Sequence, residues 1–200
     1  RLVAVEIGFP PAQGAEFAAE AITPGWAIAR APRRTADAHK GTSGRLLILA
    51  GQSGMAGAAA LCARAAVRSG AGLVRIASDG ANRTVLQLAI PEATFIEREA
   101  LTADDVLNAT SIVAGPGLGR SAQSRAALEI VLQHGAGIPT LLDADALNML
   151  AEEPDALRTA AADRALLITP HPKELSRLLQ CSLEDITRDR VAAVKEALYL

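Results

Sequence analysis

Residues 165 to 174 read Ala165-Leu166-Leu167-Ile168-Thr169-Pro170-His171-Pro172-Lys173-Glu174. The apolar run at 165–168 predicts a short buried strand of a parallel sheet. Whatever follows such a strand sits at its carboxyl end, where open α/β sheets bind their ligands. Pro170 and Pro172 fix φ on both sides of His171 and remove two backbone donors, so the imidazole rides on a stiff loop. Two readings stand: a functional histidine, or a helix start at which the histidine is incidental.

Working outward, polar or glycine-rich segments flank three more apolar runs. His39-Lys40-Gly41-Thr42-Ser43-Gly44 enters the strand 45–50, Gly115-Pro116-Gly117-Leu118-Gly119 follows 111–114, and Asp143-Ala144-Asp145-Ala146-Leu147-Asn148 follows 139–142. Periodicity predicts further strands at 73–77, 93–97 and 165–168, and helices near 56–69, 81–89, 102–108, 121–134, 145–151, 155–162 and 172–179, with a last one starting near 187. Strands alternating with helices through short connections predict an α/β fold, a mainly parallel central sheet with helices on both faces. The amino end is different. Residues 1–7 read as a strand closed by Gly8-Phe9-Pro10-Pro11, and 12–37 mix Ala, Pro, Gly and Arg without a period, as a linker does. The chain opens without Met and stops inside a helical pattern, so it reads as a piece of a longer protein.

Half of the 200 residues are hydrophobic, yet there are only one Trp, one Tyr and three Phe, so the core must be aliphatic. A net charge of −2 gives no electrostatic drive toward nucleic acid or an anionic membrane. No signal peptide or membrane-spanning run is present, which makes the cytoplasm the default. Cys62 and Cys181 lie far apart and read as core or helix-end thiols rather than a disulfide.

The loops differ in what they can carry. Gly51-Gln52-Ser53-Gly54-Met55-Ala56-Gly57 joins a strand to a helix, where close backbone approach and the helix amino end favour a ligand; it lacks the Lys-Ser/Thr of a Walker A loop. Tight strand-to-helix packing explains it equally. Gly115 to Gly119 fails the dinucleotide fingerprint because Arg120 stands where the third glycine is required. It reads as a backbone wall for a substrate or as a turn needing positive φ. Asp143 and Asp145 could hold a magnesium–phosphate group, share a proton, or cap the helix; capping by one of them is the plainest reading. Asn148 falls on the same helix face as Asp145. Lys40 sits on a loop able to close over a polyanion, with Arg30, Arg33 and Arg34 nearby on the linker. His134, late in a helix before Gly135, suits the helix dipole. No metal-ligand set is assigned.

Taken in order, these segments, with the Gly-Ala-rich stretch 57–69 and Gly70-Ala71-Gly72-Leu73-Val74, resemble the ADP/ATP-dependent NAD(P)H-hydrate dehydratase family of the ribokinase-like fold over residues 33–200. The resemblance implies a three-layer sandwich, incomplete at the carboxyl end, with 38–200 forming the amino-terminal part of the dehydratase domain. It implies that residues 1–11 end a fused epimerase domain and that 12–37 connect the two. It places hydrated NADH or NADPH against Ala58, Gly117 and His171, with Lys40, Asp143, Asp145 and Asn148 near the site. His171 would serve orientation more than proton transfer. ADP or ATP is implied as co-substrate, with Mg2+, and a homo-oligomer is left open. The G-x-G-D aspartate that carries catalysis in this fold is absent from these 200 residues, so no catalytic base is assigned and the 200 residues alone are expected to be inactive. The alternatives are a small-molecule kinase of the same fold and a non-catalytic nucleotide-binding fragment.

Overall fold

The computed structural model describes residues 22–31 and 43–200. The chain divides after Arg33 into two units. In the first, the described residues form one helix, α1 (Pro24–Arg30), within the segment read as linker. Its start is chemically clear: the Thr23 hydroxyl accepts from the Trp26 N–H at 3.2 Å and Pro24 stands at the first helical position. The Arg30 guanidinium lies 4.0 Å from the centre of the Trp26 ring. The strand expected at 1–7 and the His39–Lys40 loop lie outside the described residues.

The second unit runs β1 (Arg45–Leu49), α2 (Ala56–Ser69), β2 (Leu73–Ser78), α3 (Arg83–Ala89), β3 (Thr94–Glu97), α4 (Ala103–Leu107), β4 (Ser111–Ala114), α5 (Ala122–His134), β5 (Thr140–Leu142), α6 (Asp145–Leu150), α7 (Pro154–Asp163), β6 (Leu166–Ile168), α8 (Pro172–Leu178), α9 (Leu183–Arg188) and α10 (Arg190–Ala197). The six strands form one sheet in the order β3-β2-β1-β4-β5-β6, every pair parallel. The expected mainly parallel sheet is parallel throughout. Two boundaries differ from the sequence reading. The helix expected over 81–89 opens as a 3-10 turn, Gly80–Asn82, because the Asp79 carboxylate accepts from the Ala81 N–H at 3.0 Å and tightens the entry. The helix expected near 187 is two helices. Ser182 caps α9, which starts four residues earlier at Leu183, and Asp189 breaks the run and caps α10 through the Ala192 N–H.

Strand alternation sends side chains to two cores. Ile48, Val74 and Ile76 pack with Ala59 and Ala63 of α2 and Leu86 of α3. Leu47, Leu49, Ile112 and Leu142 pack with Val106 of α4, Val131 of α5, Leu147 of α6 and Leu157 of α7. The sheet is thus the middle of three layers. Parallel crossovers are right-handed, so helices on the way out from β1 to β3 lie on one face and those on the way back from β4 to β6 on the other. The reversal falls between β1 and β4. That neighbouring pair leaves a crevice at its carboxyl ends, and it is there that ligands enter sheets of this order.

Candidate functional site

The two loops that leave β1 and β4 are joined across the crevice by backbone hydrogen bonds. Gly51 N–H donates to the Pro116 carbonyl at 3.0 Å and Gln52 N–H to the Gly117 carbonyl at 2.6 Å. The first loop is also held from β2. The Ser78 hydroxyl donates to the Gly51 carbonyl at 2.8 Å, and the Asn82 amide donates to the Gly51 and Gln52 carbonyls at 3.1 and 3.0 Å. Ser78 and Asn82 are buried, and every buried side-chain polar atom among the described residues has a partner. Sequence reading did not single out Ser78 or Asn82. A polar Ser-Asp-Gly-Ala-Asn run ending a buried strand was the available signal.

Ala58 and Gly117 meet across this crevice. Gly117 has φ +58°, and a Cβ built on it would lie 2.8 Å from the Ala58 Cβ. Both a left-handed backbone and a close approach therefore require glycine here. Gly115 is more constrained still, since its Cβ would fall 1.8 Å from the Asp143 carbonyl oxygen. The glycine loop is in this way pressed against the start of α6 as well as against α2.

The aspartates behave differently from the capping expectation. The N-cap of α6 is Ala144, and no side chain caps that helix. Instead the Asp145 carboxylate accepts from the Gly119 N–H at 2.9 Å, so it holds the glycine loop rather than its own helix. The reason lies in Ala144, whose φ of 48° and ψ of −116° turn the chain sharply between the two aspartates and aim Asp145 back at the loop. Burial pushes the Cys62 thiol of α2 up from its ordinary range, and the negative Asp143 carboxylate adds to the effect. Asn148 donates to the Ala144 carbonyl at 3.1 Å and accepts from Arg177 of α8.

His171 stands at the carboxyl end of β6, two strands beyond β4, as the N-cap of α8. Its Nδ1 accepts from the Lys173 and Glu174 N–H groups at 3.1 and 3.3 Å, which puts the ring proton on Nε2. Nε2 lies 3.1 Å from Oε1 of the buried Glu174, while Glu174 Oε2 accepts from the His171 N–H at 2.9 Å. The histidine is therefore built into a capping box. Its ring stays 58% exposed, so one edge remains open to a ligand. Lys40 lies outside the described residues. A separate cavity of about 240 Å³, lined by Arg45, Leu73, Arg75 and Glu92, opens at the opposite, amino end of the strands and belongs to no part of the crevice.

A family model described as NAD(P)H-hydrate dehydratase matches residues 46–198. A bifunctional NAD(P)H-hydrate repair enzyme Nnr of Coxiella burnetii is 39% identical over 169 residues, covering 82% of this chain and 33% of that protein. An ADP-dependent (S)-NAD(P)H-hydrate dehydratase of Listeria monocytogenes is 36% identical over 179 residues, covering 88% of this chain and 63% of that protein. The crystal structure of an ADP/ATP-dependent NAD(P)H-hydrate dehydratase from Bacillus subtilis, co-crystallised with ATP and Mg2+, superposes with a TM-score of 0.68 at 28% identity, over 84% of this chain and 58% of that one. The chain thus spans a third to just under two thirds of these relatives.

Proposed function

The chain belongs to the NAD(P)H-hydrate dehydratase family, and we propose that the whole protein dehydrates the S epimer of hydrated NADH or NADPH at the expense of ADP or ATP. The observation that carries this reading is the crevice between β1 and β4. Its walls are two backbone loops locked to each other, with Ala58 and Gly117 in contact. A nicotinamide hydrate suits such a wall, because its carboxamide and ring hydroxyl can meet peptide groups that no side chain holds away.

The chemistry explains why a nucleotide is consumed. Hydroxide is a poor leaving group. Transfer of a phosphoryl group to the ring hydroxyl makes a good one, and loss of phosphate with a proton from the neighbouring ring carbon restores the double bond. Magnesium would offset charge on the nucleotide phosphates. In this reading Gly117 and Ala58 form the floor under the substrate, and the exposed edge of His171 orients it. Asp145 holds the floor in place, and Asp143 and Asn148 line its side. The bifunctional name of the Coxiella relative supports a second activity on the same polypeptide, an epimerase by this reading. No helix among the described residues is long and apolar enough to cross a membrane, and both described cysteines are free thiols; these support a cytoplasmic setting.

The test is direct. The intact protein is incubated with the S hydrate of NADPH, magnesium, and either ADP or ATP, and recovery of the reduced-nicotinamide absorbance is followed. Recovery that requires a nucleotide is expected. No recovery with either nucleotide, by protein that is folded, overturns the reading.

A further inference from the structure

Arg98 is one of two buried arginines among the described residues, 5% exposed, and it lies directly behind the glycine loop. The other, Arg164, is accounted for by helix-end carbonyls and Asp163. Burying a guanidinium is costly unless its donors are spent on fixed partners. Arg98 spends them as follows. Nε and one terminal nitrogen donate to Glu99 Oε1 at 3.1 and 2.6 Å, and the latter lies 3.5 Å from Asp79 Oδ2. The other terminal nitrogen donates to the Ser124 hydroxyl at 3.2 Å and reaches the Leu118 carbonyl at 3.5 Å. Ser124, fully buried, donates to the same Leu118 carbonyl at 2.8 Å.

The Leu118 carbonyl and the Gly119 N–H belong to one peptide group. Its oxygen is taken by Ser124 and Arg98, and its N–H by Asp145 at 2.9 Å. We propose that Arg98, Ser124 and Asp145 are positioning residues that clamp this peptide and thereby fix Gly117 in the wall against the substrate. A glycine loop has no side chains to lock itself, so its plane must be set from outside. The same support reaches the opposite wall. Asp79, which faces Arg98, donates its own N–H to the Gly51 carbonyl at 3.1 Å. One buried cation thus ties both walls of the crevice. The forked geometry of arginine supplies donors in two fixed directions, which lysine cannot.

The substrate half of this inference rests on the function proposed above; the clamp itself does not. The experiment measures, in the intact protein, hydrogen exchange of the Gly119 amide and Michaelis parameters for hydrated NADPH. The variants are Asp145→Ala, Arg98→Lys and Asp145→Asn. In Asp145→Ala and Arg98→Lys, Gly119 exchange should quicken and KM rise, each about tenfold, with kcat altered much less, since a misplaced binding wall weakens positioning. Asp145→Asn, which still offers an acceptor, should restore both. Ser124→Ala carries the same readouts should either of the others fail to fold. Unaltered Gly119 exchange in all variants, or quickened exchange with unaltered KM, overturns the proposal. Should wild-type protein not turn over the hydrate, the functional reading falls, and the clamp is decided by Gly119 exchange alone.

Discussion

Gly117 has its identity fixed twice, by φ +58° and by Ala58 at 2.8 Å from a would-be Cβ. The first alone costs a non-glycine residue about 1 kcal/mol, and forcing a methyl against the first turns of α2 adds about 1–3 kcal/mol. Gly117→Ala should therefore lower stability by about 2–4 kcal/mol in denaturant titration and also weaken substrate affinity, since relief means moving the wall. A variant of normal stability would show that the loop gives way freely and that the crevice is not rigid. His171 poses the opposite question, because both ring nitrogens serve the capping box while the ring itself stays largely exposed. His171→Ala should cost about 0.5–2 kcal/mol through the lost cap. His171→Asn should recover most of that, as asparagine caps well, yet should not recover affinity for the hydrate if the exposed imidazole edge contacts it. Affinity measured by calorimetry that returns with asparagine would make the histidine structural.

At the scale of elements, Arg164 joins the end of α7 to the end of α5. It donates to the Val131 and Leu132 carbonyls at 3.2 and 2.6 Å and pairs with Asp163 at 2.6 Å. The hydrogen bond from Arg164 holds the Asp163 carboxyl below its usual range, with the guanidinium charge acting the same way and desolvation opposing. A carboxyl lowered in the folded state adds stability at pH values above its unfolded pKa of about 3.9, and that share is lost as pH falls through the lowered folded value. Arg164→Met should therefore destabilise at neutral pH by about 1–3 kcal/mol, the cost of leaving the Leu132 carbonyl without its donor, while the Val131 carbonyl keeps the Gly135 N–H. The gap to wild type should narrow below about pH 4 without closing, because the carbonyl bonds do not titrate. Denaturant melts at the two pH values measure it; a gap that widens in acid would contradict the coupling. Most of the elements from residue 45 onward were legible in the sequence. The helix at 56–69 and the strand at 111–114 were readable because period and glycine punctuation agree there. Helix α9 was not, although Ser182 followed by Asp185 is a capping pattern. Its apolar face is too short to show a period. Nor could sequence yield the Ser78, Asn82, Arg98 and Ser124 contacts, which join positions distant in the chain and depend on strand order. The capping expectation for Asp145 failed for the same kind of reason. A residue at a helix start has two possible partners, its own turn and a neighbouring loop, and only the fold brings the second within reach.

Across the second unit, one sheet separates two cores that share strands but no buried side chain, with a third, small cluster among α8, α9 and α10. The crevice lies where the chain changes from building one core to building the other. Ile76 sits in the core under α2 and α3, Leu147 in the core under α4 to α7, and both are almost fully buried. Truncating either to alanine should cost about 2–5 kcal/mol by lost transfer energy and a residual cavity. Being in different clusters with no shared partner, the two losses should add to within about 0.5 kcal/mol in the double variant. Their effect on the site should differ. Leu147 lies on α6 between Asp145 and Asn148, so its loss loosens the segment that grips Gly119. Ile76 lies two residues before Ser78, which holds the other wall through the Gly51 carbonyl. Leu147→Ala should therefore quicken exchange at Gly119 and leave Asp79, whose N–H donates to the Gly51 carbonyl, protected, and Ile76→Ala should do the reverse. Residue-resolved exchange on the two variants checks this; matching patterns in both would mean that the bonds between the loops and the Arg98 tie, rather than each wall's own core, set the local stability of the crevice.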